Sequence, residues 1–395
     1  MADFQYQNPD DAIAAAVSRL RPVATETIRI TEAGGRVLAT DLMLDRDSPA
    51  CDVSAMDGFA VRIDELTAGS VPVSAEAAAG HAPPTCKAGT AVRIFTGAPV
   101  PPECDTVIKR EDVHEAEAAI TLKDGIAPPR IGSHIRRRGE NGLSGHSFLQ
   151  AGSVLTPAAL AGAATCGAAE FSVYRRVRVA IVTTGDELCR IDQQPESWQI
   201  RDSNGFALRG LFQSRPYLDV ATPIHAPDKL TELTDLLKRL SSEFDAIFLT
   251  GGVSVGDRDF VPKAVKNAGG EIIFHKLPIR PGKPLLTAVQ DGTLIAGLPG
   301  NPVSVLYTGR RFGVAYLQHL AGFNKPEPVL TTSLLNADEK SLHLHWGRLV
   351  QLEPQGARLL ESRGSGDVIN ASQSDGFIEI PAGQSGRGPW KYFSW

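Results

Sequence analysis

Hydrophobic and polar positions divide the chain into stretches of different rhythm. Between Val177 and Leu320, short solid apolar runs (VRVAIVTT, AIFLT, EIIFHK, TLIAGL) alternate with segments whose apolar residues return every third or fourth position. A solid run is the pattern of a strand buried on both faces, and the longer period is that of a helix with one apolar face. KLTELTDLLKRL puts Leu230, Leu233, Leu237 and Leu240 on one side, and DSNGFALRGLFQ predicts a helix capped by Asp202 or Ser203. LDVATPIHA predicts strand and loop, LLTAV and TLIAGL predict paired strands around Asp291-Gly292, and PGNPVSVLYTGRRFGVAYLQHL predicts one helix begun through Pro302. Strands alternating with helices in this way predict a doubly wound α/β domain.

On either side the rhythm changes. Asp10 is placed to cap an Ala-rich helix, DAIAAAVSRL, that closes near Pro22. Residues 60 to 130 are rich in Val, Ala, Pro and Gly, with short strand patterns and no long helical one, which predicts a small β-rich module. TPAALAGAATCGAAEFSVY predicts a helix with Thr156 as its cap, Pro157 at its first position and a glycine turn at Gly167. Beyond Pro326 and Pro328 the tail returns to strands (VLTTSLL, LHLHWGRLVQLE, ARLLES, GFIEIPA, WKYFSW), predicting a small barrel or sandwich.

Candidate chemistry collects where the α/β strands end. AIFLT runs into Gly251 and Gly252, which allow a turn with positive φ and the close approach of a ligand, and the backbone of GGVS, through Ser254, can hold an anion. Asp259 is placed to cap the following helix, with Pro262 in its first turn. Asp257 and Asp259 add carboxylates, and backbone donors beside carboxylates suit an anion held with a divalent cation, because hard cations take oxygen ligands. TTGDEL, with Glu187, and GLPGNP, with Pro299 and Pro302, leave strand ends in the same way, and ligands of open parallel sheets sit at that edge. Lys276, Arg280 and Lys283 in the basic Pro/Gly loop supply cations for phosphates. A packing turn and a solvated basic loop account for the same residues without any ligand. Elsewhere Met56-Asp57-Gly58 and Thr96-Gly97 mark turns, and Arg136, Arg137 and Arg138 form a run suited to oxyanions or to a solvated edge.

Composition narrows the class. A chain of 395 residues is too long for one ordinary core and predicts roughly two to four domains. A formal charge of −5 with 22% charged residues argues against a general nucleic-acid or membrane-surface protein. No apolar stretch approaches the roughly 18 to 20 residues of a membrane helix, and the opening residues lack a signal peptide's apolar core, so the cytoplasm is expected. Cys51, Cys86, Cys104, Cys166 and Cys189 are scattered without a CxxC pair, which predicts free thiols. His343 and His345 share a strand face without a third ligand nearby and are expected to be structural.

Taken in order, SAMDGFAVR, IFTGAPVP, RRRGEN, TTGDEL, DSNG, TGGVSVGDRDF, KLPIRPGKP and GLPGNPVSV, with WGR in the tail, resemble the molybdopterin molybdenumtransferases, to which the C-terminal part of gephyrin is related. The match spans nearly the whole chain. It implies a multidomain α/β plus β architecture: a discontinuous first domain (1–46 and 142–176), an inserted β-rich domain (47–141), a central doubly wound α/β molybdopterin-binding domain (177–325) and a C-terminal small β-barrel (326–395), in a homodimer. The implied reaction inserts molybdate into adenylylated molybdopterin, giving molybdenum cofactor and AMP, with Mg2+ as the divalent cation. Molybdopterin adenylyltransferase and molybdoenzyme-maturation proteins are the implied partners.

Carried over residue by residue, the family's acids fall on Asp57, Glu187 and Asp259, with Asp228 near another, and Thr96, Lys276, Pro299, Pro302, Arg348 and Ser365 also match. We expect Glu187, Asp257 and Asp259 to hold Mg2+ and Lys276 and Arg280 to neutralise phosphate or molybdate. Gly251, Gly252 and Ser254 are expected to hold an anion, Lys283 and Arg137 to contact substrate, and Asp57 and Thr96 to complete the pocket. The chain departs from the family pattern at Asn141, where Asp is common, at Arg280, where Lys is common, and in the GSGD around Ser365. Two other functions are open: molybdopterin adenylyltransferase, which the central domain alone resembles, and a gephyrin-like scaffold without catalysis.

Overall fold

Alternate residues of the Val177–Thr184 strand divide between two cores. Val177, Val179 and Ile181 pack with Phe212, Phe248 and Tyr316, while Ala180 and Val182 pack with Leu233, Leu237, Ile247 and Val265. A strand covered on both faces has no side for polar residues, which is why this stretch reads as a solid apolar run. The computed structural model describes residues 4–254, 256 and 259–395. Within it, Val177–Thr184 pairs in parallel with Leu218–Val220, Ile224–Ala226 and Ala246–Thr250, and the last of these pairs in parallel with Thr293–Leu298. Leu286–Gln290 and Glu271–His275 extend this 7-stranded sheet antiparallel, the hairpin turning at Asp291 (φ 49) and Gly292 (φ 88). Helices Asn204–Gln213, Pro302–Thr308 and Val314–Leu320 cover one face, and Leu230–Glu243 and Val261–Asn267 cover the other. The doubly wound α/β architecture is therefore present.

Two details differ from the sequence expectation. The stretch after Pro302 is not one α-helix: a π-turn at Gly309–Gly313 interrupts it. That turn carries Arg311, 6% exposed, whose Nε donates to Glu379 at 2.9 Å, while the Tyr307 hydroxyl donates to the same carboxylate at 2.9 Å. The first helix, Pro9–Val17, is capped by Asn8 rather than Asp10. Asp10 instead pairs with Arg311 and, at 2.7 Å, with Lys391, because a buried guanidinium is a stronger partner than an exposed helix end.

The tail closes on itself. His345–Glu353, Gly376–Ile380, Trp390–Ser394 and Leu330–Thr332 are successive neighbours, Gly356–Leu359 flanks the other side of His345–Glu353, and a Leu334–Ala357 bridge joins the two ends. Leu334, Val350, Ile378, Ile380 and Tyr392 fill this small barrel. Ile279–Arg280, from the basic loop, adds to it in parallel with His345 and Trp346.

By contacts the chain forms two compact units, one comprising residues up to Thr40, Ala151–Ala161 and Ala169–Trp395, the other Asp41–Gln150 with Gly162–Ala168. The second is the β-rich module. Its 6-stranded sheet runs in the order Thr106–Lys109, Gly58–Val61, Ala91–Ile94, Val71–Ala77, Ala119–Leu122 and Val113–Ala116, with a core on each face.

Candidate functional site

The strands ending at Thr184, Thr250 and Leu298 lie side by side, so the loops that leave them meet. Gly251 (φ 90) and Gly252 (φ 61) adopt the left-handed backbone expected of them, and a Cβ on Gly251 would fall 2.7 Å from the Thr184 carbonyl oxygen. The Gly251 amide donates to Leu298 O at 3.1 Å, and the Asn204 side chain donates to Gly300 O at 2.7 Å. TTGDEL, TGGVS, DSNG and LPGNP thus form one rim, with Ser254 exposed on it.

Acids gather on that rim. Asp186 and Glu187 are exposed, the Glu187 carboxylate folds back over Gly185, and the Asp228 amide donates to Asp186 Oδ1 at 3.4 Å. Burial, followed by the negative charges of Asp186 and Glu187, pushes the Asp228 carboxyl above its ordinary value. Asp259 does not cap its helix: the cap position is Phe260, without a side-chain bond, and Asp259 Oδ2 accepts from the Gly256 amide at 2.6 Å. The carboxylate is occupied in closing its own turn. Asp257 lies outside the described residues. Among the described residues, no three of His, Cys, Asp and Glu converge as a metal-binding group. The negative charge that Asp186 and Glu187 place beside Asp228 nevertheless fits Mg2+, which binds through one or two carboxylates with substrate phosphates and keeps several waters.

Cations line a cleft beside the rim, about 580 Å³ in volume, between the basic loop and the barrel. Arg280, Lys283, Pro299, Arg348 and Ser365 all border it. The strand addition of Ile279–Arg280 to His345–Trp346 brings these walls together. Ser365 is anchored next to Pro302, its carbonyl accepting from the Val303 amide at 3.0 Å and its hydroxyl from Asn301 Nδ2 at 2.8 Å. Arg348 donates through both Nη atoms to Asp338, at 2.8 and 2.9 Å, and this bidentate pair holds the Asp338 carboxyl below its ordinary value. Lys276 (φ 78) sits next to His275, whose Nε2 lies 2.6 Å from Val253 O, so it stands by the GGVS loop and not among the residues bordering the cleft.

Within the β-rich module Asp57 and Thr96 are partners. Asp57 Oδ1 accepts from the Thr96 amide at 2.8 Å and from its hydroxyl at 2.7 Å, and these two bonds, in that order, lower the Asp57 carboxyl. Gly58 is required sterically, since a Cβ there would lie 1.9 Å from Ile108 O. The arginine run is engaged internally: Arg137 pairs with Asp52 at 2.5 Å, Arg138 with Asp47 at 2.5 Å, and Arg136 donates to Asn141 Oδ1 at 2.6 Å. Sequence reasoning missed Asp186, Asn301, Trp346 and Asp338. The first three adjoin residues it singled out, whereas nothing in the sequence distinguishes Asp338 from other loop acids.

Known proteins resemble this chain over most of its length. Residues 8–167 match the family model "MoeA N-terminal region (domain I and II)" and residues 180–319 match "Probable molybdopterin binding domain". The molybdopterin molybdenumtransferase of Synechococcus elongatus is 35% identical over 394 residues, 96% of each chain, and that of Nostoc sp. is 34% identical over 378 residues, 91% of this chain and 86% of the relative. The crystal structure of a molybdopterin biosynthesis moeA protein from Pyrococcus horikoshii OT3 superimposes with a TM-score of 0.82 at 25% identity, covering 99% of this chain and 100% of that one. With these relatives matched over nearly its full length, the chain belongs to the molybdopterin molybdenumtransferase family.

Proposed function

We propose that this chain transfers molybdenum: it inserts molybdate into adenylylated molybdopterin and releases molybdenum cofactor and AMP. The observation that carries this is the cleft that Arg280, Lys283, Arg348 and Ser365 line together beside the glycine rim. Both substrates are oxyanions, one a phosphoanhydride and the other a metal oxyanion, and a partly enclosed set of cations stabilises the charge that shifts when oxo groups are exchanged and AMP departs. Arg280 and Arg348 offer planar forks and Lys283 a point charge, so the cleft can orient a phosphate and neutralise a second oxyanion together. The GGVS turn supplies backbone donors at the rim. Glu187 would hold Mg2+ together with the substrate's phosphates, Asp186 and Asp228 adding negative charge beside it, and Asp259, with Asp257, would add oxygens from the neighbouring loop. When bound, the cation neutralises phosphate charge. We further propose a cytoplasmic homodimer of four-domain chains that exchanges substrate and product with molybdopterin adenylyltransferase and molybdoenzyme-maturation proteins.

Incubation with adenylylated molybdopterin and molybdate, with AMP followed chromatographically, tests the proposal. Release that depends on molybdate supports it. Consumption of ATP with free molybdopterin would instead identify an adenylyltransferase, and no turnover of either would leave a scaffold.

A further inference from the structure

Trp346 stands next to two cations that reach the cleft from different segments. Arg280 is directly opposite Trp346 in the parallel pairing of Ile279–Arg280 with His345–Glu353, and Arg348 follows two positions later on the latter strand. Residues two apart, and directly paired residues on neighbouring strands, project from the same face of a sheet. The Arg348 Cζ lies 4.2 Å from the indole centroid and the Arg280 Cζ 5.9 Å from it. Both are inside the range, about 6 Å, in which a ring's negative face attracts a guanidinium. Asp338 engages one hydrogen on each Nη of Arg348, which leaves the Nε–H and the outer Nη hydrogens for another acceptor.

We propose that Trp346 is a positioning residue whose indole holds Arg280 and Arg348 together, against their mutual repulsion, as a two-cation seat for a tetrahedral oxyanion. The inference rests on the reading of this cleft as the oxyanion site. It gives a physical reason for Arg over Lys at position 280: a planar guanidinium can stack on indole, and an ammonium offers only a point charge. Asp338 fixes the far edge of the Arg348 fork, so that cation is oriented before substrate arrives.

The test uses the full-length chain with Trp346→Phe and Trp346→Leu, titrated calorimetrically with sodium molybdate and, separately, with AMP. Two lost cation–π contacts should weaken binding of one or both oxyanions about five- to thirtyfold in Trp346→Leu, while Trp346→Phe, which keeps a ring face, should stay within about threefold of wild type. In turnover the loss should fall on KM, with kcat nearly unchanged, as expected of an interaction made already in the ground state. Molybdate should also alter tryptophan emission in wild type and lose that effect in Trp346→Phe. Weakening of the molybdate titration alone would identify the seat as the molybdate site, and weakening of AMP alone as a phosphate site. If Trp346→Leu loses its thermal transition, Trp346→Met serves in its place. A leucine variant with wild-type affinity for both ions and wild-type KM overturns the inference while leaving AMP release intact. Phenylalanine as damaging as leucine overturns it too. A wild type that binds neither ion overturns the inference together with the cleft assignment.

Discussion

Gly347, between Trp346 and Arg348, is the position where a single methyl group should do the most damage to the cleft. A Cβ built there would come within 2.3 Å of Tyr307 Cε2 and 2.4 Å of Cδ2, so about 1 Å of movement is needed to reach ordinary contact. The ring has little freedom to give way. Tyr307 is 2% exposed, its hydroxyl donates to Glu379 at 2.9 Å, and its ring lies 4.8 Å from that of Phe377. The strand must therefore lift, carrying Trp346 and Arg348 with it. Overpacking of a fixed core costs about 1–3 kcal/mol, and the locked ring places Gly347→Ala near the upper end. Thermal unfolding of the larger unit should fall by about 5–10 °C. A displacement of this size at a residue that orients substrate should cost about a hundredfold in kcat/KM for AMP release. Combining Gly347→Ala with Tyr307→Leu, which removes the ring edge, should be less destabilising than the sum of the two single changes. Wild-type melting and wild-type kcat/KM in Gly347→Ala would refute the steric reasoning outright.

Two further predictions concern charge. The Asp228 carboxyl is raised above 3.8 by burial and by Asp186 and Glu187, so its ionised form costs stability at every pH above that value. Asp228→Asn should accordingly melt higher at pH 7, lose that advantage as pH falls below the carboxylate range, and turn over at least about tenfold more slowly; a lower melting temperature at pH 7 would contradict the repulsion. For Asp10, burial works against the ionised form, but Arg311 and Lys391 prevail and bring it to about 2. The stability it contributes is present above about 4 and is lost as pH falls toward 2. Asp10→Asn should thus cost about 1 kcal/mol at neutral pH, after allowance for solvent screening of the half-exposed carboxylate, and progressively less below pH 4 in urea titrations.

What the sequence determined by itself was local periodicity and the motifs it brackets. Solid apolar runs identified the strands because a strand covered on both faces admits no polar side, and Gly251 and Gly252 identified the rim because only glycine turns there without strain. The ordered motifs were enough to name the family. Long-range partnership was decided only in three dimensions. Whether Asp10 caps a helix or pairs with Arg311, 301 positions away, depends on a π-turn that no period announces. Asp259 had the spacing of a cap, but its carboxylate satisfies Gly256 instead, because a short polar side chain takes whichever backbone donor the folded turn presents. The cleft itself arises from a two-residue strand joining the basic loop to the barrel, which sets Arg280 against Trp346 on the strand where Arg348 meets Asp338. Such pairings are too short to leave a pattern in the chain, and they form because the fold delivers the segments to one place.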